Sequence, residues 1–317
     1  MLKKLKKYLL LSAFVLCLTG CASGDFEEPA GAFGPDGGYQ LEENQQAAGQ
    51  NSDEEDVIES FSSDGEMTVT FLDVGQGDCT IIRTGEHCMV IDAGNNRKGE
   101  TVAAYLINQG ISKLDYLILT HPDEDHIGGA DNVVRAVEVS QVMMPDIAND
   151  TVTYEETMQA IEEQEIPVIH PQPEEVYELG DAEFTILCPW PETIRKNDMN
   201  NASIGIRLVH GDNSFVMCGD AEEKSEKVMA EYFEENLECD VLKCGHHGSG
   251  TATSEEFLEA ADPIWAVISC GEGNRYGHPH AEVLSRLEDM DVQVYRTDKL
   301  GTITAISDGT EIYWSNE

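Results

Sequence analysis

The sequence predicts a layered α/β fold for the region that begins at Met67. From this residue onwards, short β-rich runs alternate with stretches of helical spacing, and Gly-containing turns separate many of them. Many strands with interspersed helices are typical of helices packed on sheets. The pattern allows two halves of sheet but does not require them, and no internal repeat of fixed short period is visible.

The individual elements follow from local composition. Runs rich in apolar and β-branched residues predict strands, and apolar residues three or four positions apart predict helices. The predicted strands are 67–73, 80–83, 88–92, 116–120, 184–187, 204–209, 214–217, 241–243, 266–269 and 292–295. The predicted helices are 101–109, 127–137, 222–233, 254–260 and 281–287.

The first twenty residues predict a secretory signal peptide. Four lysines within residues 1–7 precede a short apolar run over 8–18, which is too short to span a bilayer comfortably. The ending Leu18-Thr19-Gly20-Cys21 resembles a bacterial lipobox. That resemblance implies a lipidated Cys21 and attachment to the extracytoplasmic face of the cell membrane. A plain signal peptide and a signal anchor are the alternatives.

Residues 21–65 predict a disordered acidic tether. The stretch 22–65 contains twelve Asp and Glu and no Lys or Arg, so it buries too little apolar surface to offset the entropy of ordering. Acidity extends beyond it, because the whole chain has 61 Asp and Glu against 19 Lys and Arg, a formal net charge of −42. Such a chain repels polyanions at long range, which argues against tight, unaided binding of nucleic acid.

The nine cysteines do not form a disulfide framework. Cys17 falls in the signal peptide and Cys21 in the lipobox, which leaves an odd, scattered set. Cys79 and Cys88 flank a predicted hairpin and could pair across it, while free or buried thiols are an equal alternative. No CxxC pair is present, so a zinc ribbon is not predicted.

The strongest local motif lies directly after the predicted strand 116–120. Here His121, Asp123, Asp125 and His126 fall within six residues, followed by Gly128-Gly129, which permits a tight turn into the next helix. Histidine nitrogens and carboxylate oxygens are the ligands of zinc, manganese and iron in proteins. The motif therefore predicts a metal site, with a solvated acidic loop as the alternative.

Three further clusters follow strands or open the last helix. They contribute Asp220, the pair His246-His247, and the pair His278 and His280. Six of the nine histidines therefore lie in three of the four clusters, which favours a shared site over scattered core histidines. The remaining three, His87, His170 and His210, stand alone and carry no prediction of function.

These motifs, in this order, resemble the metallo-β-lactamase superfamily and, more narrowly, the hydrolase domain of the competence protein ComEC. The order is His-x-Asp-x-Asp-His, then Gly-Asp, then His-His-Gly-Ser. The segments 71–78, 91–94, 201–203 and 277–280 match as well, and the resemblance covers about 67–310. The membrane channel of ComEC has no counterpart, so the sequence suggests a stand-alone, surface-tethered version.

The resemblance implies a four-layer αββα sandwich over residues 66–317, with two divalent ions, Zn or Mn, between the sheets. Its metal ligands would be His121 and Asp123 for the first ion, Asp125 and His126 for the second, Asp220 as the bridge, and one or both of His246 and His247 to complete the set. Asp125 and His247 are also expected to be catalytic. Asp78 would support a ligand from behind.

Four further residues are catalytic candidates by the same resemblance. Asn201, Ser203, Ser249 and His278 would hold anionic oxygens of the substrate or protonate the leaving group. The chain departs from the superfamily in Asp123, where most members have His, and in Asn201 at the position of another His. An oxygen-rich first site shifts preference towards manganese or magnesium, or towards one ion, and β-lactam hydrolysis is not expected.

The leading hypothesis is phosphodiester hydrolysis by a metal-activated water, nuclease-like, with DNA as one substrate. The charge argues against a tightly binding nuclease, because only the ions and a few residues such as Lys243, Arg207 and Arg275 could offset it. The alternatives are hydrolysis of a small ester, lactone or choline-phosphate ester, and a non-catalytic metal-stabilised binding module. No protein partner is predicted.

Overall fold

The computed structural model describes residues 65–194 and 198–316. The predicted signal peptide, the lipidated Cys21 and the tether, apart from Gly65, lie outside the described residues. Within the described ranges, no helix has the length and apolar character to cross a bilayer.

Eight strands form the first sheet, in the order β17-β16-β1-β2-β3-β5-β7-β8. Their bounds are β1 Met67–Phe71, β2 Thr80–Thr84, β3 His87–Ile91, β5 Tyr116–Ile118, β7 Val142–Met143, β8 Val168–Ile169, β16 Ile303–Ser307 and β17 Ile312–Asn316. The strands from β17 to β3 pair antiparallel, whereas β3, β5, β7 and β8 run parallel. The carboxyl ends of β3 and β5 therefore meet at one edge of the sheet.

Seven strands form the second sheet, in the order β15-β14-β13-β12-β11-β10-β9. Their bounds are β9 Val176–Leu179, β10 Ala182–Cys188, β11 Gly205–His210, β12 Asn213–Met217, β13 Val241–Lys243, β14 Trp265–Ile268 and β15 Gln293–Arg296. The strands β12 to β15 run parallel, so their carboxyl ends share an edge. A separate pair consists of β4 Lys113–Leu114 and β6 Glu138–Val139.

Helices cover the outer face of each sheet. On the first sheet lie α1 Gly99–Asn108, α2 Glu124–Ile127, α3 Ala130–Ala136 and α4 Val152–Glu163. On the second lie α5 Glu223–Phe233, α6 Glu255–Ala261 and α7 Ala281–Asp289, and the short α8 Thr297–Leu300 follows β15. Single-turn 3₁₀ helices are Asn200–Ala202, Glu234–Leu237 and Gly245–Gly248.

Alternating strand residues divide the core into three apolar layers. The central layer joins the inner faces of both sheets, with Phe71 and Ile118 from the first against Phe184 and Phe215 from the second. One outer layer packs α1, α3 and α4 on the first sheet, and the other packs α5, α6 and α7 on the second. Since a strand points successive side chains to opposite faces, two sheets buried on both sides give this order of layers. The predicted αββα sandwich is confirmed.

The structure corrects two predictions, one about a helix and one about a disulfide. The predicted helix 127–137 is divided into α2 and α3, because Gly128-Gly129 packs against the loop after β3. A Cβ on Gly129 would lie 2.3 Å from the carbonyl oxygen of Ala93. The predicted alternative of a Cys79–Cys88 disulfide is wrong. Both thiols are free and buried, and the hairpin register sets Cys88 opposite Arg83, four positions beyond Cys79.

Candidate metal centre

The predicted ligands converge although they come from three separate strand ends. His121, Asp125 and His126 follow β5 in the first sheet, whereas Asp220 follows β12 and His247 follows β13 in the second. Parallel neighbours in each sheet bring these ends to one edge, where the two sheets face each other. The fold therefore assembles the side chains that the motifs predicted as one site.

One group of ligands centres on His121. Its Nε2 lies 3.7 Å from Oδ2 of Asp123 and 3.9 Å from Oδ2 of Asp220. Its Nδ1 lies within hydrogen-bonding distance of Ser203 Oγ, at 3.3 Å, and of Thr120 Oγ1, at 3.2 Å. Because Nδ1 is engaged by hydroxyls, Nε2 is the nitrogen left for an ion.

A second group also includes Asp220 and shares His126 with the first. Nε2 of His247 is 3.4 Å from Oδ2 of Asp125 and 3.7 Å from Oδ2 of Asp220. Nε2 of His126 lies 3.2 Å from Oδ1 of Asp220. Asp220 thus contacts His121 as well as His126 and His247, so it would be a ligand shared by two ions if both were bound.

The chemistry of these atoms fits divalent ions. Nε2 of His121, His126 and His247, together with Oδ1 of Asp220, is buried without a hydrogen-bond partner. These atoms contact one another as charged neighbours but make no hydrogen bond, and buried polar atoms without hydrogen bonds are costly unless something else binds them. Two sets, His121 with His126 and Asp220, and Asp125 with His126 and His247, have ligand atoms within 4.8 Å of one another. Mixed nitrogen and oxygen donors of this kind suit zinc or manganese.

His246 lies at the rim of the same cluster. Its Nε2 is 3.5 Å from Oδ2 of Asp220, and its Nδ1 is 3.3 Å from Oε1 of Glu222. Its side chain is 24% exposed, whereas that of His247 is 1% exposed. Both histidines have left-handed backbone, with φ of 49° and 55°. Two consecutive non-glycine residues in this region carry strain of the kind that persists at functional sites.

Buried carboxylates orient the ligating histidines from behind. Asp92 accepts a hydrogen bond from Nδ1 of His126 at 2.8 Å, and from the backbone and hydroxyl of Thr120. Nδ1 of His247 lies 3.1 Å from the Ser269 carbonyl and 3.2 Å from Asp78. Such partners fix the tautomer and present Nε2 to the ion. The role expected for Asp78 is therefore supported, and Asp92 is an orienting residue that the sequence reasoning missed.

Lys243 forms a buried ion pair with Asp78 beneath the cluster. Burial alone would lower the pKa of this lysine, but the Asp78 charge raises it, so the ammonium stays protonated. Its charge is therefore neutralised inside the protein. Arg207 donates a hydrogen bond from Nε to the backbone carbonyl of Glu238 and does not line the cavity at the cluster. Of Lys243, Arg207 and Arg275, the three residues expected to offset the acidity, only Arg275 lines a cavity near the cluster, a second one beside the cavity at the cluster itself.

The electrostatics couple carboxylates to imidazoles. Burial would raise the pKa of Asp125, but the contact with His247, whose Nε2 lies 3.4 Å away, and the charge of His126 lower it to about 2. Burial opposes the charged form of His247, yet Asp220 and Asp78 raise its pKa to about 10. Protons thus occupy His126 and His247, whose pKa values are raised, in the absence of ions, and a bound cation would take their place.

The four candidate catalytic residues occupy different positions. Ser203 contacts His121, and its Oγ accepts from the Asp220 backbone at 3.1 Å, so it orients ligands. The amide of Asn201 is used by Asp198 and the backbone of Glu222. Ser249 pairs with the hydroxyl of Thr251 at 3.0 Å.

His278 is the member of that set that lines the cavity at the cluster. Its Nδ1 is buried without a hydrogen-bond partner. Burial, with the nearby His247 and His246 charges, lowers the pKa of His278 to about 4, so its ring is neutral at pH 7. A neutral imidazole suits hydrogen bonding to a substrate oxygen.

The cluster opens into a cavity of about 220 Å³. Its walls include Asp123, Asp125, Asp220 and His246, and also Gln76, Asn200 and Tyr276, which the sequence reasoning did not single out as site residues. Asn200 rather than Asn201 therefore faces the cavity. Potential ligands, an open wall and uncommitted hydrogen-bonding groups are the components that a hydrolytic metal centre requires.

Comparison with known proteins agrees with this arrangement. The sequence model of the Metallo-beta-lactamase superfamily matches residues 72–271. The diiron β-hydroxylase CmlA from Streptomyces venezuelae has a similar fold, with a TM-score of 0.51 and 14% identity, over 74% of this chain and 53% of that chain. At this identity the likeness concerns the fold alone.

Similar curated proteins include a ComE operon protein, a competence protein and a recombination protein. ComE operon protein 3 of Bacillus subtilis is 34% identical over 265 residues, which cover 78% of this chain and 34% of that protein. Competence protein ComA of Neisseria gonorrhoeae is 31% identical over 76% of this chain and 32% of that protein. Recombination protein 2 of Haemophilus influenzae is 33% identical over 74% of this chain and 28% of that protein. The chain spans about a third of the length of these relatives.

Proposed function

The chain belongs to the metallo-β-lactamase superfamily, and from that premise we propose that it hydrolyses phosphodiester bonds, with DNA as the candidate substrate. One observation carries the proposal: buried ligand atoms of His121, His126, His247 and Asp220 lie close together, and two of these residues, Asp220 and His247, line an open cavity. A scaffold site has no need of an open wall, whereas a hydrolytic site needs one for water and substrate.

The residues have separable roles in this proposal. His121, Asp123, Asp125, His126, Asp220, His246 and His247 would hold the ions. Two ions bound there would lower the pKa of a shared water and stabilise the attacking and leaving oxygens of a displacement. Ser203, Asp92 and Asp78 would orient these histidines through their Nδ1 atoms and leave each Nε2 for an ion. His278 would offer a hydrogen bond to a non-bridging oxygen of the substrate.

The choice of phosphodiester over other esters rests on the relatives. Competence and recombination proteins at 31–34% identity act in processes that handle DNA, which favours a phosphate-containing substrate. The formal net charge of −42 works against a long polyanion. We therefore propose local engagement of a single strand at the cavity rather than binding along a duplex.

Hydrolysis of two substrates by the full chain tests the proposal. With added Mn²⁺, we expect cleavage of a single-stranded oligonucleotide and of bis(p-nitrophenyl) phosphate, and loss of both activities after chelation. Asp125→Ala should abolish both, because it removes a ligand of one ion. Asp150→Ala is the matched control, since Asp150 is an exposed carboxylate outside the cavity.

Two other outcomes would replace the proposal. Hydrolysis of lactones, carboxylic esters or choline-phosphate esters without cleavage of either diester would favour the small-substrate alternative. Stoichiometric binding of metal without hydrolysis of any of these compounds would favour a metal-stabilised binding module. Metal analysis of the purified chain belongs in the same experiment, because it separates an inactive centre from an empty one.

We also propose that the chain is anchored in the cell membrane through a lipid on Cys21 and faces the extracytoplasmic side. The lipobox-like sequence around Cys21 supports this location. Cys21→Ser should move the protein from the membrane fraction to the soluble or secreted fraction. An unchanged distribution of the variant would contradict the lipid anchor.

A further inference from the structure

A second cavity of about 560 Å³ adjoins the metal centre. It shares Gln76, Asp123, Asp125 and Tyr276 with the smaller cavity, so the two form one continuous cleft. Sites for organic ligands usually measure about 300–1,000 Å³. The smaller cavity falls below that range and suits the reacting group, whereas the larger one can hold the part of the substrate beside it.

The larger cavity contains cations that the rest of the site lacks. Arg97 and Arg275 both line it and both are exposed. The guanidinium of Arg275 lies 4.8 Å from the ring centroid of Tyr276 and donates a hydrogen bond to its hydroxyl. Lys243, by contrast, is paired with Asp78. Positive charge that a substrate can reach is therefore concentrated in this part of the cleft.

An aromatic surface lies next to these cations. Tyr276 is 48% exposed, among the largest exposures of apolar or aromatic side chains in the described part of the chain. Its ring also stacks near His278, with centroids 5.5 Å apart. Aromatic rings and guanidinium planes are the surfaces on which bases of single strands stack. A cation for phosphate and a plane for a base thus occur side by side.

We propose that Arg97, Arg275 and Tyr276 form a subsite for one nucleotide next to the scissile phosphodiester of a single strand. The arginines bind the phosphate of that nucleotide, and its base stacks on the surface made by Tyr276 and the Arg275 guanidinium. This inference rests on the proposed function and adds the form of substrate that the centre accepts.

The acidic walls restrict the substrate to a single strand. Asp123, Glu124 and Asp125 line the same cavity as the two arginines. A duplex presents phosphates of both strands and requires a row of cations. With Asp123 and Asp125 committed to the ions of the proposed centre, the two arginines outweigh Glu124 by one charge, which suits the phosphate of one nucleotide but not the row of phosphates of a duplex. The positive charges of Arg97 and Arg275 explain how a strongly acidic protein can bind a nucleic acid at one point.

The kinetics of the full, Mn²⁺-loaded chain on two substrates test the subsite. The substrates are a single-stranded oligonucleotide and bis(p-nitrophenyl) phosphate, which has no flanking nucleotide. Tyr276→Ala should lower the ratio of kcat/KM for the oligonucleotide to that for the small diester about tenfold, mainly through KM, since stacking is worth about 1–3 kcal/mol per base. Tyr276→Phe keeps the ring and should restore the ratio.

The arginines have a separate readout in the salt dependence. Replacing Arg97 and Arg275 by Gln should lower the oligonucleotide ratio and reduce the slope of log kcat/KM against log salt by about 0.7 for each phosphate that the variant no longer neutralises. Arg135→Gln, an exposed arginine on α3 outside the cleft, is the matched control and should keep the wild-type slope.

Several results would overturn the subsite. An equal loss of activity on both substrates would mean that these residues act on the metal centre. If the metal-loaded wild-type protein hydrolyses the small diester but does not cleave the oligonucleotide, the subsite is refuted and phosphodiester hydrolysis is not. Inactivity of the metal-loaded wild type on both substrates would refute the proposed function, and the subsite with it.

Discussion

Replacing Lys243 by Met removes the positive end of the buried ion pair beneath the metal ligands. The Lys243 side chain is 4% exposed and that of Asp78 is 3% exposed, so water cannot compensate for the lost charge. Met keeps most of the aliphatic volume, which separates the effect of charge from that of packing. Breaking a buried pair by removing one partner costs about 3–5 kcal/mol, and because Asp78 keeps its contact with His247 at 3.2 Å, we expect Lys243→Met to lower the free energy of unfolding by about 3 kcal/mol, the lower end of that range.

The reasoning requires that the double variant be less damaged than the sum of the single ones. Asp78→Asn removes the other charge, so Lys243→Met/Asp78→Asn leaves no unpaired ion, and the interaction energy should lie near the upper end of the about 0.5–3 kcal/mol seen for coupled residues. Urea unfolding followed by tryptophan fluorescence measures each value. Lys113→Met, which breaks an exposed pair with Glu138, is the control and should change stability little. Additive losses in the double variant would refute the pairing.

Three further predictions concern the site and its support. Asp220→Asn removes a charge between the two groups of ligands and should lower metal content and activity more than the about 10–100-fold typical of outer partners. Asp92→Asn weakens the orientation of His126 and should lower metal affinity by about 10–100-fold, as measured by competition with a chelating dye. Burial raises the pKa of Glu226 to about 7, although backbone N–H groups of Thr253 and Ser254 oppose the rise. The folded state therefore holds a proton that the unfolded state releases, so stability should fall as pH rises from about 4.5 to about 7, by at most about 3 kcal/mol, and Glu226→Gln should flatten that profile. A wild-type profile that does not fall between these pH values would contradict the assignment.

The sequence predicted the parts of the fold in which local pattern and tertiary role agree. Buried runs such as Val241–Lys243 and the helix Glu223–Phe233 were predicted within one or two residues. The helix Val152–Glu163 was missed because its buried face consists of Thr153, Thr157, Ala160 and Ile161, a weak apolar pattern. Thr151 was an available signal for the start of this helix, because its hydroxyl accepts a hydrogen bond from the backbone N–H of Tyr154 as an N-cap. The strand Ile303–Ser307 was missed although three of its five residues are β-branched and its burial alternates, both of which are strand signals.

The site was predictable where ligands are local in sequence, and less so where geometry is long-range. The cluster from His121 to His126 and the pair His246-His247 were visible as motifs. Asp92 was visible in principle, since it follows an apolar strand as Asp220 does, but its bond to His126 crosses 34 positions of chain. The use of Asn201 within its own loop, with Asn200 at the cavity, depends on the turn of Asn200–Ala202. Spacing alone cannot distinguish such neighbours.

The ligands divide between two sheets that are joined by apolar packing in the central layer. His121 and His126 hang from the edge of one sheet, and Asp220 and His247 from the edge of the other. A cation bound by residues of both sheets would connect them. It would raise the free energy of unfolding by RT ln(1 + [L]/Kd), which is about 2.7 kcal/mol at a metal concentration a hundred times Kd. The concentration of available metal would then determine the stability of the folded domain as well as its rate of hydrolysis.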